Sequence, residues 1–98
     1  MLTHIVIWKY RKDVTQEERR EHMALLRRLP SIIPNIISFN VGSDILNLPR
    51  SYDTGLVAVF PNRAALDEYT VHPEHIKVAE YGKIVSEHVA SVDFTGEE

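Results

Sequence analysis

The segment 54–60 constrains the fold more than any other, because it is apolar on both faces of the strand that it predicts. Its sequence, Thr-Gly-Leu-Val-Ala-Val-Phe, is rich in β-branched and aromatic residues, which favour strands. Side chains alternate between the two faces of a strand, so a strand without a polar face has to be covered on both sides. The segment is therefore predicted to be a central strand of a sheet with two covered faces.

Three other segments have the pattern of strands. Residues 3–10 are mainly β-branched and aromatic, and residues 88–94 have an alternating pattern that predicts the last strand of the chain. Residues 36–45 alternate between apolar and polar side chains until Gly42 interrupts the pattern. The chain is thus predicted to contain four strands.

Two helical segments separate these strands. Thr15 and Glu18 have the spacing of a capping box, which predicts a helix that starts there and ends before Pro30. A second helical segment opens at residues 61–62 and is predicted to bend or restart just before Pro73, because proline is favoured in the first turn of a helix.

The resulting order of strand, helix, strand, strand, helix, strand predicts a ferredoxin-like α+β fold, in one domain that spans residues 1–98. Both helices then lie on one face of a four-stranded antiparallel sheet, and the other face has no cover within the chain. A second copy is the simplest cover for that face. We therefore expect a homodimer in which two sheets face each other as a barrel, through Ile5, Ile7, Val57 and Val59.

The charge and composition exclude several classes of function. Eleven Lys and Arg residues stand against fourteen Asp and Glu residues, and this net charge of -3 argues against a nucleic-acid partner. The chain has no cysteine, which excludes disulfides and thiolate chemistry. No segment has the pattern of a signal peptide or a membrane span, so we expect a cytoplasmic protein without a membrane partner.

Several short motifs resemble those of the stress-responsive A/B barrel family. They are His4-Ile-Val-Ile-Trp-Lys, Phe39-x-Val-Gly42, Tyr52-Asp53 and Tyr69-Thr-Val-His72-Pro73-Glu74-His75, in this order along the chain. The resemblance extends through Val92-Asp93-Phe94 and implies a dimeric α+β barrel.

One plant branch of that family consists of aromatic polyketide cyclases. The resemblance implies that Tyr69 and His75 would act on the substrate and that His4 would line the same pocket. Two positions depart from the cyclases, because Thr54 stands where they have a pocket histidine and Leu26 aligns with a tyrosine of their first helix.

The strongest candidates for catalysis are His75 as a general base and Tyr69 as an acid that orients a carbonyl oxygen. An imidazole titrates near neutral pH, and such a pair could remove a proton next to a carbonyl. The alternative is that Tyr69 packs and His75 bonds to the backbone, so that both only close the space between helix and sheet.

Further candidates for binding a substrate are His4, Trp8, Leu26, Thr54 and His72. His4 and Trp8 share one face of the first strand, where they could line a pocket or belong to the core. His72 directly precedes a proline, which favours a role as the cap of a helical turn.

No metal or cofactor is predicted. His72 and His75 are three residues apart but have no convincing third ligand nearby. The glycines are isolated at positions 42, 55, 82 and 96, so a phosphate-binding loop is also absent from the sequence.

The favoured interpretation is a homodimeric barrel protein that binds a small apolar or aromatic molecule in a pocket between sheet and helices, without assigned catalysis. The first alternative is an enzyme of the polyketide cyclase or lyase kind that uses His75 and Tyr69. The second is a purely structural stress protein whose pocket is filled by its own side chains.

Overall fold

The computed structural model describes residues 1–96 as four strands and three helices. Their order is β1 (Leu2–Tyr10), α1 (Gln16–Ile32), β2 (Ser38–Ser43), β3 (Thr54–Phe60), α2 (Arg63–Val71), α3 (Pro73–Val85) and β4 (Ser86–Thr95). The strands form one antiparallel sheet in the order β2-β3-β1-β4. The predicted ferredoxin-like fold is confirmed, and the last two residues of the predicted domain, 97 and 98, lie outside the described residues.

The register of the sheet determines which side chains share a face. Val6 in β1 lies opposite Leu56 in β3 and opposite Ser91 in β4, so residues of even number in β1 share a face with them. Trp8 and Tyr10 on this face are buried beneath the helices. Residues of odd number in β1 therefore lie on the other face, which we call the open face.

The open face is apolar and only partly covered by its own side chains. Val57 is 41% exposed, and Val92 and Phe94 on β4 are 52% and 43% exposed. Ile5 lies opposite Val57 and Val92 in the register and shares this face. The residues expected to contact a partner thus lie together on the side of the sheet that no helix of the described chain covers.

Side chains cap all three helices. The Thr15 hydroxyl accepts a hydrogen bond from the Glu18 amide at 3.1 Å, and the Glu18 carboxylate accepts one from the Thr15 amide at 2.9 Å. This confirms the predicted capping box. Asn62 caps α2, and the Nδ1 atom of His72 accepts a hydrogen bond from the Glu74 amide at the start of α3. The predicted restart near residue 72 is also confirmed.

The prediction that the first helix ends before Pro30 is wrong, because α1 continues through Pro30 to Ile32. Leu26, Leu29 and Ile33 are almost completely buried on one side of the last turns, and the Ile33 amide still donates a hydrogen bond to the Leu29 carbonyl at 2.9 Å. Pro30 has no backbone N–H and therefore cannot donate a hydrogen bond within the helix. The packing of this apolar stripe nevertheless holds the last turn in place.

Several strand boundaries also differ from the predictions by one or two residues, and β2 ends at Ser43 instead of residue 45. β2 begins at Ser38 instead of residue 36, because Asn35 adopts a left-handed conformation with φ of 66° and the chain is still turning. β4 begins at Ser86, two residues earlier than expected, because this residue both caps α3 and pairs with Tyr10.

The core lies between the helix face of the sheet and the helices. Its largest fully buried side chains are Tyr69, Phe60, Leu29, Leu56 and His22. No helix within residues 1–96 has the length and apolar character needed to cross a membrane.

Candidate functional site

A cavity of about 220 Å³ lies between α3 and the helix face of the sheet. Most of its walls are apolar, and its polar groups come from α2, α3, β1 and β4. The lining residues are His4, Val6, Trp8, Leu26, Leu56, Tyr69, His75, Ala79, Lys83, Val89 and Ser91.

Two rows of side chains form opposite walls of the cavity. His75, Ala79 and Lys83 are four residues apart on α3, and this spacing places them on one face of the helix. On the sheet side, alternate residues of β1 run from His4 to Trp8. Regular helical and strand periodicity is therefore sufficient to direct both rows into the same space.

Tyr69 and His75 lie against each other at one end of the cavity, with 4.3 Å between their ring centroids. The Nδ1 atom of His75 is 3.0 Å from the carbonyl oxygen of Thr70. A carbonyl can only accept, so Nδ1 carries the proton of the neutral ring and Nε2 keeps its lone pair. His75 thus has the tautomer that a general base needs.

Burial determines the protonation of both side chains. It lowers the pKa of His75, and the neighbouring His4 and His72 lower it further, although the bond to the Thr70 carbonyl acts in the opposite direction. The same desolvation raises the pKa of Tyr69, which is only 2% exposed. At neutral pH the cavity therefore offers an unprotonated imidazole beside a protonated phenol.

Asp93 is a polar residue of this region that the sequence interpretation missed. The register pairs it directly with His4, and its carboxylate accepts a hydrogen bond from the Nδ1 atom of His4. The His4 ring lies 5.9 Å from the ring of Tyr69. The bond fixes the orientation of the His4 ring at the same end of the cavity as Tyr69 and His75. The predicted fold pairs the first strand with the last strand, and this pairing could have identified Asp93 as a neighbour of His4.

The cavity brings together five of the seven candidate residues, namely His4, Trp8, Leu26, Tyr69 and His75. Thr54 and His72 do not line it. Thr54 is buried and bonds to Tyr10, while the ring of His72 caps α3. Lys83 lines the cavity and was not among the candidates.

Thr54 belongs to a second buried polar cluster, which also contains Tyr10 and His22. The Tyr10 hydroxyl lies 2.7 Å from the Nδ1 atom of His22 and 2.9 Å from the Thr54 hydroxyl. His22 is completely buried, and its Nε2 atom has no hydrogen-bond partner within residues 1–96. Burial lowers the pKa of His22 to about 4, so its ring is neutral in the folded protein at pH 7.

Gly82 is a buried residue of α3 that lies against the ring of His22 in this cluster. A Cβ atom at this position would lie 3.0 Å from both the Nε2 atom of His22 and the Nε1 atom of Trp8. These two rings pack edge to face with 4.9 Å between their centroids. A glycine inside α3 costs some helix propensity, but it lets the helix approach the two rings closely.

Within residues 1–96, no three His, Asp or Glu side chains are grouped so that they could hold a metal ion. The chemistry that the site can support from its own residues is hydrogen bonding and proton transfer, through His75, Tyr69 and the pair of His4 with Asp93.

Comparison with known proteins identifies the family of this chain. Residues 2–96 match the profile of the stress responsive A/B barrel domain. The chain belongs to this family. Among its curated relatives is olivetolic acid cyclase from Cannabis sativa, which is 21% identical over 94 residues, or 94% of this chain and 93% of the cyclase.

Solved structures similar to this A/B barrel chain include proteins with and without a named activity. A dimeric protein of unknown function and ferredoxin-like fold from Bacteroides fragilis is 29% identical, with a TM-score of 0.81 over 95% of this chain and 93% of that one. The hydroxynitrile lyase from Passiflora edulis is 17% identical, with a TM-score of 0.89 over 99% of this chain and 94% of that one. The lyase shares the fold with this A/B barrel chain.

The buried histidine predicts a dependence of stability on pH. Unfolding exposes His22, and its pKa then returns from about 4 toward 6.5, so the unfolded chain takes up a proton between these values that the folded chain does not. We expect the free energy of unfolding to decrease by roughly 2 to 3 kcal/mol for this group alone as the pH falls from 7 toward 4. Urea unfolding at pH 7.5 and pH 5 should show about 2 kcal/mol of this loss.

The control is His22→Leu, which removes the titrating ring and should reduce the difference between the two pH values. An equal loss of stability in the wild type and in this variant would show that His22 is not responsible.

Proposed function

We propose that this protein is a homodimer that binds a small molecule with a mainly apolar or aromatic body in the cavity between sheet and helices. The observation that carries the proposal is the cavity itself. Its walls are mainly Val, Leu, Ala and Trp side chains with a few polar groups among them, as in typical binding sites for small molecules.

The polar end of the cavity supports recognition of a carbonyl or hydroxyl group. Tyr69 can donate a hydrogen bond from its phenol, and the Nε2 atom of His75 can accept one. An oxygen-bearing group of the ligand would therefore lie at this end, while its apolar body contacts Val6 and Leu56.

The open face supports the homodimer. Val57 and its neighbours leave a contiguous apolar surface in contact with solvent, and covering such a surface is favourable by roughly 25 cal/mol per Å² of buried apolar area. The similar protein from Bacteroides fragilis is described as dimeric. Pairing through the open faces would bury Ile5, Ile7, Val57 and Val59 between two sheets.

A charge at the centre of the open face should prevent this pairing. We expect Val57→Asp to sediment as a monomer of 11.3 kDa at micromolar concentration, because an unpaired carboxylate between two sheets costs several kcal/mol. Val71→Asp is a matched control, since Val71 is 68% exposed on α2 at the opposite side of the sheet. A dimeric Val57→Asp protein would contradict pairing through this face.

Trp8 provides a direct probe of ligand binding, because it is the single tryptophan of the chain and lines the cavity. We expect 1-octanol to change the Trp8 emission of the wild type in a saturable way. Ala79→Phe should weaken this binding by about tenfold or more, because the larger ring fills the middle of the cavity.

Ala64→Phe, at an exposed position of α2, is the matched control and should bind like the wild type. If 1-octanol leaves the emission unchanged in all three proteins, the cavity does not bind such molecules, and a purely structural role becomes the better interpretation.

A second candidate function is catalysis, and the contact between Tyr69 and His75 is the observation that favours it. The Nε2 atom of His75 would take a proton from the carbon next to a bound carbonyl group, while the electron pair moves to the oxygen that the Tyr69 hydroxyl stabilises. Two proteins similar to this chain, olivetolic acid cyclase and the hydroxynitrile lyase, are named as enzymes, and this supports the second candidate.

Exchange of deuterium into 2-octanone, followed by NMR in D2O, tests this step. We expect the protein to accelerate exchange next to the carbonyl and His75→Ala to abolish that acceleration. Because burial lowers the pKa of His75, the catalysed rate should already be on its plateau at pH 7. Unchanged exchange in the variant, with 2-octanone still bound, would exclude His75 as the base.

A further inference from the structure

Lys83 stands at the end of the cavity opposite His75. It is exposed on the last turn of α3 and also lines the cavity, so it lies where the cavity meets solvent. No Asp or Glu is among the lining residues, and Lys83 takes part in no ion pair within residues 1–96. The ammonium group therefore has no counter-charge in the described part of the chain.

The acidic residues closest to Lys83 in the sequence form no ion pair with it, and Asp93 is engaged elsewhere. Asp93 bonds to His4 at the other end, and Glu80 and Glu87 are exposed and form no ion pair with Lys83. The cavity thus has a cationic end at Lys83 and a polar end at Tyr69 and His75.

The two ends are separated by a fixed length. His75 and Lys83 are eight residues apart on α3, which corresponds to about 12 Å along the helix. His4 and Trp8 are four residues apart on β1, or about 13 Å along the strand. The rows run in the same direction, because His4 is near Tyr69 while Trp8 is near Gly82, the residue before Lys83.

We infer that Lys83 binds an anionic group of the ligand and that the cavity therefore selects small carboxylates with an apolar body over uncharged molecules of the same length. This inference rests on the proposed binding function. The carboxylate would pair with the Lys83 ammonium, and the apolar chain would extend past Ala79 and Val6 toward His75. Charge-assisted hydrogen bonds to a carboxylate are about twice as strong as neutral ones, and a partly desolvated site strengthens them further.

Two ligands of equal length test this selection, namely octanoate and 1-octanol, each titrated against the Trp8 emission at low ionic strength. We expect the wild type to bind octanoate more tightly than 1-octanol. Lys83→Met should weaken octanoate binding about tenfold and affect 1-octanol binding much less, whereas Lys83→Arg should retain octanoate binding. Added salt should weaken only the octanoate complex of the wild type and of Lys83→Arg.

Lys77→Met is the matched control, because Lys77 lies on the same helix, is exposed and pairs with Glu74 outside the cavity. Thermal unfolding of each variant establishes that it is folded. Equal affinity for both ligands, or an equal loss in the Lys77 and Lys83 variants, would overturn the role of Lys83 and leave the proposed binding function intact. If neither ligand changes the Trp8 emission, both the inference and the binding function are wrong.

Discussion

The alternation of side chains across β1 and β3 is the constraint on which the rest of the structure depends. Both central strands carry apolar side chains on each face, so no arrangement of the helices on one side can cover all of them. The helices cover the face of Trp8 and Leu56, while Val57 and its neighbours remain exposed. A sheet with this pattern needs a second cover, and the fold leaves the space for one.

The same alternation places the proposed ligand-binding cavity and the proposed dimer contact on opposite faces of the sheet. Side chains that face the helices form the cavity and its polar end, where the bond between Asp93 and His4 lies close to Tyr69. Side chains that face away from the helices would form the contact between subunits. Because neighbouring residues of one strand belong to different faces, a dimer contact through Val57 could form without altering the cavity wall at Leu56.

Local signals in the sequence were enough to predict the strand 54–60, the capping box at Thr15 and the junction at His72, because each depends on residues close together in the chain. The course of α1 through Pro30 was missed, since it depends on the packing of a distant apolar surface. The pair of His4 with Asp93 was missed for a similar reason, because it depends on the register of strands that are far apart in the sequence. Thr54 was expected beside the cavity, but its hydroxyl bonds to Tyr10 instead.

Pairing through the open face is tested most directly by an isotope-filtered NOE experiment on a mixture of labelled and unlabelled protein, which detects only contacts between subunits. Pairing through the open face predicts such contacts for the methyl groups of Ile5, Ile7, Val57 and Val59, and none for Leu26 or Leu56, which are buried and line the cavity on the helix side of the sheet. Contacts between subunits that involve the helices instead of the open face, or no such contacts at all, would contradict it.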